Sequence, residues 1–487
     1  IRPDYLEALY NRGNVFEKNH NFENALKDYN NVLSIKSDYL QALNNRGNVL
    51  RKLSRFEEAI DDFKNAILID PNYIAAYYNR YIVFKDLNLY EKALEDLNKV
   101  LSLNPNYVEA YNNRGNIYKE LLVFDKALND YRQVIKIKPD YAKAYYNSGV
   151  VYFELGNLEK AIDNYKIAIN LDPYYADAFN NLGNTYNSVN KLDKAILNYE
   201  KALEIKPDYE EANFNLATIL YKVGHFDKSA ELFKKDRSAK SQNALLQCQF
   251  ALNNQSSFYN QLDDLINQGN NNAVIGSYVS RSNIRYGMQR TNPFCNEPLE
   301  YVLKYDLSSE CDFQKDFVKG AFDILNNKSI NERDQNLLTN GKQTAGNVFT
   351  QVGDVTDKIQ NIIRDQIEKY HLHFKNSKEG LITSWPANYE IYGWLVSMKS
   401  GGELAPHMHE QGWLSGSIYI NVPPKIHKDS GNLVVSLDKD EHKEKYSKSI
   451  DVITGSICLF PSSLLHYTIP FEGTEDRVVL AFDVVPL

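Results

Sequence analysis

Three histidines and one arginine in the last quarter of the chain have the types and spacing to do chemistry. His407 and His409 stand in Pro406-His407-Met408-His409-Glu410, ahead of an expected strand. On an extended backbone, residues two apart share a face, so both imidazoles can reach one ion. His466 follows the expected strand Ile457-Cys458-Leu459-Phe460 and the turn Pro461-Ser462-Ser463. Arg477 opens the final strand eleven residues later. Imidazole binds divalent first-row metals, and a guanidinium grips a carboxylate with two parallel hydrogen bonds. An HxH pair alone is a weak signal; with a distant histidine and a strand-borne arginine it is far more specific. Glu410 is the alternative third ligand, although on a strand it faces the other way. The remaining histidines read differently. His20 and His225 are expected at the surface. His371 and His373, two apart on a helix, point about 200° apart and are read as structural. His427 and His442 fall in a charged, solvated loop. No Ser-His-Asp or phosphate-loop pattern competes with this group.

The elements that must position these residues are short strands. Tyr389–Met398, Ser415–Val422, Gly431–Leu437, Asp451–Phe460 and Arg477–Val485 are rich in Val, Ile and aromatics and bounded by Gly, Pro and charged loops. Ahead of them, 313–326 and 355–373 have helical spacing, and 270–300 reads as loop. Strands in series behind helices predict a β-sandwich or jelly roll backed by helices.

Tyr392-Gly393-Trp394, Pro406-His407-Met408-His409, Leu414-Ser415-Gly416, Tyr419, Gly455-Ser456, Leu459-Phe460-Pro461-Ser462, His466 and Arg477 together resemble the Fe(II)- and 2-oxoglutarate-dependent oxygenases. The likeness is to a bacterial group related to prolyl hydroxylases and often fused to helical repeats. Gly341–Phe349 and Asn292-Pro293-Phe294 look like upstream elements of that group. The resemblance implies a double-stranded β-helix, Fe(II), and 2-oxoglutarate as co-substrate. His407 and His466 would be metal ligands, Arg477 the 2-oxoglutarate anchor, and Tyr419 (before Asn421) its hydroxyl partner. It also implies hydroxylation coupled to decarboxylation of 2-oxoglutarate. The departure is His409, where most members carry Asp or Glu. Two other readings stay open: a catalytically dead domain on an interaction protein, and a three-His, cupin-like enzyme with no use for 2-oxoglutarate.

The first half repeats every 34 residues. One column reads Gly13, Gly47, Tyr81, Gly115, Gly149, Gly183, Ala217; others hold Ala25 to Ser229 and Pro3 to Pro207. Columns in register over seven repeats resemble the tetratricopeptide repeat, a helix–turn–helix unit that buries its apolar face only by stacking into a solenoid. The Asp or Asn after the proline column is expected to cap the following helix. Asn11, Asn45, Asn79, Asn113, Asn147, Asn181 and Asn215 occupy one column without exception, though Asn is a poor helix-interior residue. The resemblance places that helix along the concave groove. There an Asn ladder would hold the backbone of an extended protein or peptide through amides that both donate and accept. The alternative is that duplication alone repeated the residue.

The chain has 487 residues, 43% hydrophobic and 24% charged, with net charge −8. These values fit a folded multidomain α-plus-β protein: an α-solenoid (1–236), degenerate capping helices (237–269), a loop and helical support region (270–388) and the double-stranded β-helix (389–487). With no dense Lys/Arg block, nucleic acid is not an expected partner; with no long apolar run, neither is a membrane. Four scattered cysteines exclude a disulfide framework and fit the cytoplasm. The chain opens inside the repeat pattern, at Ile1-Arg2-Pro3-Asp4-Tyr5, as a piece of a longer protein would.

Overall fold

The computed structural model describes residues 5–325, 332–333, 337–350, 354–438 and 445–487. The chain divides into two compact units, Ile1–Val223 and Gly224–Leu487. No helix among the described residues is long and apolar enough to cross a membrane.

The first unit is a tetratricopeptide solenoid of helix pairs such as Leu40–Lys52 with Phe56–Ile69. Its tightest recurring contact explains the glycine column. Gly13, Gly115, Gly149 and Gly183 each lie under the ring of the tyrosine sixteen positions on, and Gly47 lies under Phe63. A Cβ at any of them would come within 2.6 or 2.7 Å of that ring. Where Tyr81 takes the glycine's place, Leu97 takes the ring's, and both are buried. The expected helix caps are corrected. The N-cap positions are Tyr39, Tyr73, Tyr107, Tyr141, Tyr175 and Tyr209, with no side-chain cap. The Asp or Asn after the proline sits one residue too early, inside the turn. The residue before the proline closes that turn: Asp70 accepts from the Asn72 amide at 2.9 Å and Asn104 from the Asn106 amide at 3.1 Å.

A further recurring pair was not anticipated. Arg12, Arg46, Arg80 and Arg114 each grip Asp28, Asp62, Asp96 and Asp130 through two hydrogen bonds of 2.6–2.9 Å. The signal was present: two more columns, offset by sixteen, that change together. Ser148 faces no Asp but Asn164, and Leu182 is matched by Asn198.

The second unit begins in helices and ends in a sheet. Ala239–Ala251 and Gln255–Asn267 are helices. The stretch read as loop contains a helix, Ala273–Tyr286. The Asn-rich run that suggested a loop supplies its cap, since Asn272 accepts from the Ile275 amide at 3.0 Å. Helical structure covers Gln314–Leu325 and Asp354–His373.

The strands are β1 (Leu303–Asp306), β2 (Glu332–Arg333), β3 (Leu338–Thr344), β4 (Tyr389–His407), β5 (Leu414–Asn421), β6 (Leu433–Ser436), β7 (Ser447–Ile450), β8 (Ser456–Pro461), β9 (Leu465–Thr468) and β10 (Arg477–Pro486). They are joined antiparallel in the order β1-β8-β5-β10-β4-β9-β6-β7. β3 adds to β4, and β2 to β3. The sheet curls into the antiparallel half-barrel of a double-stranded β-helix. β4 runs nine residues beyond its expected end at Met398. It bends at Gly401, whose φ of +76° suits glycine, and crosses to pair with β9. Alternation gives the sheet two buried faces. Leu395, Ile418, Leu480 and Phe482 face a core shared with Phe317, Ile363 and Ile367 of the covering helices. The intervening residues face a cavity.

Candidate metal centre

Register puts the histidines together. The bend in β4 carries His407 directly opposite His466 on β9, and their rings are 4.2 Å apart. His409, two residues on, reaches the same point. Its Nε2 is 3.2 Å from the Nε2 of His407, and its ring is 4.7 Å from that of His466. One ligand atom from each can lie within 4.8 Å of the others, making a three-residue group able to hold an ion. Glu410 is exposed and accepts from Gln247 Nε2 at 2.7 Å, away from the group.

The hydrogen bonds settle which nitrogens are free. His407 Nδ1 is 2.9 Å from the carbonyl of Ala405; a carbonyl only accepts, so this nitrogen carries hydrogen. His409 Nδ1 donates to Asp483 Oδ1 at 2.7 Å. When both rings are neutral, each Nε2 bears a lone pair, and the two lone pairs face each other at 3.2 Å. A shared cation relieves that repulsion. Two nitrogens at right angles about 2.1 Å from one ion would be about 3 Å apart. Burial and then His409 push His407 down to about 4, so its Nε2 keeps its lone pair. Burial, with His407 and His409, holds His466 well below its usual range. His466 Nδ1 is buried without a partner. The donor set therefore fits a divalent metal.

The same cavity holds Arg477. This side chain is 1% exposed. Its Nη1 donates to the Gly431 carbonyl, while Nε and Nη2 have no partner. The guanidinium lies over the Tyr419 ring, 5.2 Å from its centroid. Burial draws Arg477 down from its usual range and pushes the Tyr419 phenol up. A buried cation with two idle donors lacks an anion. The cavity wall is completed by Trp394, Val396, Leu433 and Val479. A larger cleft, lined by Phe322, Lys342, Lys399 and Asp476 among others, contains none of these residues. It touches β4 through Ser397 and Lys399, on the strand's other face.

Sequence reasoning missed Asp483. On β10, residues 477, 479, 481 and 483 share one face, so the strand that brings Arg477 to the cavity also brings Asp483 to His409. The alternation was readable; which face it served was not. The upstream motifs brace β4 and the residue that leads into β5. Asn347 Nδ2 donates to the Ile391 carbonyl at 3.0 Å, its Oδ1 accepts from the Gly393 amide at 2.9 Å, and Phe294 packs edge-on against Trp413. Of the other histidines, His371 stacks on Trp385 and His373 meets Phe374 edge-on; His20, His225 and His427 are exposed, and His442 lies outside the described residues.

The Asn column forms a chain through the solenoid. Asn45 donates to Tyr10 Oη at 3.0 Å, Asn79 to Asn44 at 2.8 Å and Asn113 to Tyr78 at 2.9 Å. Asn147 donates to Asn112 at 3.1 Å, Asn181 to Tyr146 at 3.0 Å and Asn215 to Asn180 at 3.1 Å. Each bond reaches the preceding repeat, and the acceptor alternates between Tyr and Asn. Asn11, in the first repeat, is exposed.

Residues 392–483 match the family described as "Putative 2OG-Fe(II) oxygenase". Residues 6–39 and 40–73 match the tetratricopeptide repeat, and 82–121, 124–156, 149–189 and 183–224 match a second repeat family described as TPR repeat. No curated protein matches the chain. Among solved structures, a tetratricopeptide repeat protein from Parabacteroides merdae ATCC 43184 is 19% identical, with TM-score 0.42, over 50% of this chain and 98% of that one. YrrB, described as a TPR protein with an unusual peptide-binding site, is 23% identical over 38% of this chain and 95% of that one, with TM-score 0.33. A thermophilic TPR protein of Thermus thermophilus is 26% identical over 37% of this chain and 99% of that one, with TM-score 0.32.

Proposed function

We propose that this chain, a tetratricopeptide solenoid followed by a 2OG-Fe(II) oxygenase domain, is an Fe(II)- and 2-oxoglutarate-dependent hydroxylase of a polypeptide that the solenoid recruits. One observation carries the reading. Three imidazoles grouped closely enough to share one ion and a buried guanidinium with two idle donors line the same cavity. His407, His409 and His466 would hold the iron. When bound, iron and 2-oxoglutarate supply oxidative decarboxylation coupled to hydroxylation of a C–H bond.

The chain's own residues set the conditions for that chemistry. Arg477 offers Nε and Nη2 side by side to the distal carboxylate of 2-oxoglutarate, the geometry in which guanidinium recognises carboxylate. Tyr419, packed under the guanidinium, supplies a neutral hydroxyl beside it. Trp394, Val396, Leu433 and Val479 exclude water, which strengthens that pairing. A three-His enzyme with no acidic co-substrate would gain nothing from burying Arg477. Four free cysteines fit work in the cytoplasm.

The solenoid would raise the local concentration of a protein or peptide substrate by tethering it. The Asn column contributes through the amide hydrogens and carbonyl lone pairs that its inter-repeat bonds leave over. The deciding experiment is succinate formation from 2-oxoglutarate with Fe(II), with and without candidate peptides. Metal-dependent succinate, stimulated by a peptide, is expected. Iron binding without 2-oxoglutarate turnover would favour the scaffold reading, and oxygen consumption indifferent to 2-oxoglutarate the cupin-like one.

A further inference from the structure

We propose that Asp483 is a positioning residue of the metal centre, returning through His409 the negative charge that a three-imidazole set lacks. This rests on the metal-dependent reading above and concerns a residue outside the ligand set. Asp483 Oδ1 accepts from His409 Nδ1 at 2.7 Å and from Ser415 Oγ at 2.7 Å. Ser415 Oγ lies 2.8 Å from Ser462 Oγ, so the carboxylate is anchored to both β5 and the turn after β8. Asp483 is 8% exposed, and among the described residues no Lys or Arg is paired with it. A buried carboxylate normally requires a cation. An ion on the far side of the His409 ring would supply that charge.

The arrangement also fixes His409. With Nδ1 donating to the carboxylate, only Nε2 can ligate, and the ring cannot flip without losing the bond. A carboxylate behind a ligating imidazole raises its basicity and locks its tautomer. The approach is close: a Cβ on Gly412 would lie 3.2 Å from the Asp483 carboxylate and 2.6 Å from Ser462 Oγ. β10 thus presents a cation at one end of its cavity face, Arg477, and an anion at the other, Asp483.

The test uses the full chain, metal-free, with Co(II) alone as probe. Wild type, Asp483→Asn and Ser415→Ala are titrated against a chelating dye, their Co(II) absorption spectra recorded and their metal-free melting temperatures measured. Asn keeps the shape and an acceptor but removes the charge. Asp483→Asn is expected to weaken Co(II) binding about 10–100-fold and to shift the ligand-field bands, with Ser415→Ala showing a smaller loss. Unchanged affinity and spectrum alongside a lowered melting temperature would make Asp483 merely structural and overturn the proposal. If Asp483→Asn does not fold, Ser415→Ala decides: wild-type affinity there overturns the proposal. Wild type that fails to bind Co(II) sinks the metal centre and this role together. Co(II) binding that depends on Asp483, with no 2-oxoglutarate turnover, would sink the oxygenase reading and leave this role standing.

Discussion

The Nε2 atoms of His407 and His409 face each other at 3.2 Å, each with its Nδ1 hydrogen already committed, to Ala405 and to Asp483. Neither ring can turn without breaking its own bond. The first prediction follows from that geometry and from the position of Glu410. His409→Ala should weaken divalent metal binding by more than the roughly 10–100-fold typical of outer-sphere changes. Glu410→Ala should leave binding unchanged, because Glu410 is occupied with Gln247. Metal titration of both variants checks this; the reverse pattern would move the third ligand to Glu410.

Arg477 gives a prediction of two signs. Its guanidinium is desolvated, with Nε and Nη2 unpartnered. Arg477→Ala should weaken 2-oxoglutarate binding by about 3–5 kcal/mol, the usual cost of breaking a buried charge pair, and leave metal affinity largely intact. Arg477→Met, which fills the space without the charge, should raise the melting temperature of the ligand-free protein. Equal 2-oxoglutarate affinity in mutant and wild type would support the cupin-like alternative.

The histidine cluster makes the metal-free protein acid-sensitive. Burial first, then His409, lowers His407 to about 4 in the folded chain, against about 6.5 when unfolded. Between those values the unfolded state binds more protons, so stability falls as pH drops. Thermal melts of the metal-free chain should therefore decline from about pH 6.5 to about pH 4, while His407→Gln should decline less steeply. Parallel pH profiles for the two proteins would show that His407 does not titrate this way.

Some of this was legible in the residues, for definite reasons. The repeat was plain because one spacing governs every column, and Gly13 under Tyr29 shows why glycine recurs there. Arg477–Val485 was readable because a strand buried on both faces is apolar at nearly every position. β9 was not, since Leu465-His466-Tyr467-Thr468 is too short to show a period. The crossing of β4 was hidden because it depends on a bend at Gly401, and only that crossing sets His407 against His466. Asp483 was not singled out, because its partner lies 74 residues away.

The Arg–Asp column yields a prediction about stability. Asp62 is nearly buried under Arg46. Asp62→Ala leaves a partly buried guanidinium without its carboxylate and should cost about 2–4 kcal/mol, below the fully buried case because Arg46 keeps some solvent contact and its bond to Asn30 Oδ1. The double replacement Arg46→Leu with Asp62→Leu should recover most of that loss, since an apolar pair removes both desolvation penalties. Denaturant unfolding of the three variants measures the coupling. A double mutant no more stable than Asp62→Ala would show that the pair does more than fill its space.

The Asn column can be tested so that its two roles separate. Each amide from Asn45 to Asn215 donates to the repeat before it, so the column holds neighbouring repeats together whatever else it does. A bond of this kind contributes roughly 0.5–1.5 kcal/mol net. In a stacked array, interface terms add nearly independently. Replacing Asn113, Asn147 and Asn181 with Ala should therefore lower stability by about 2–4 kcal/mol, enough to reduce the melting temperature and increase amide exchange at the affected interfaces. Measured below that melting temperature, the same triple variant should also bind a long polypeptide substrate more weakly if the leftover amide groups grip its backbone. Succinate formation without that substrate should be unaffected. A drop in stability with normal substrate binding would assign the column to the array alone. Weaker binding with unchanged stability would mean that the inter-repeat bonds contribute nothing net and that the amides face their ligand freely.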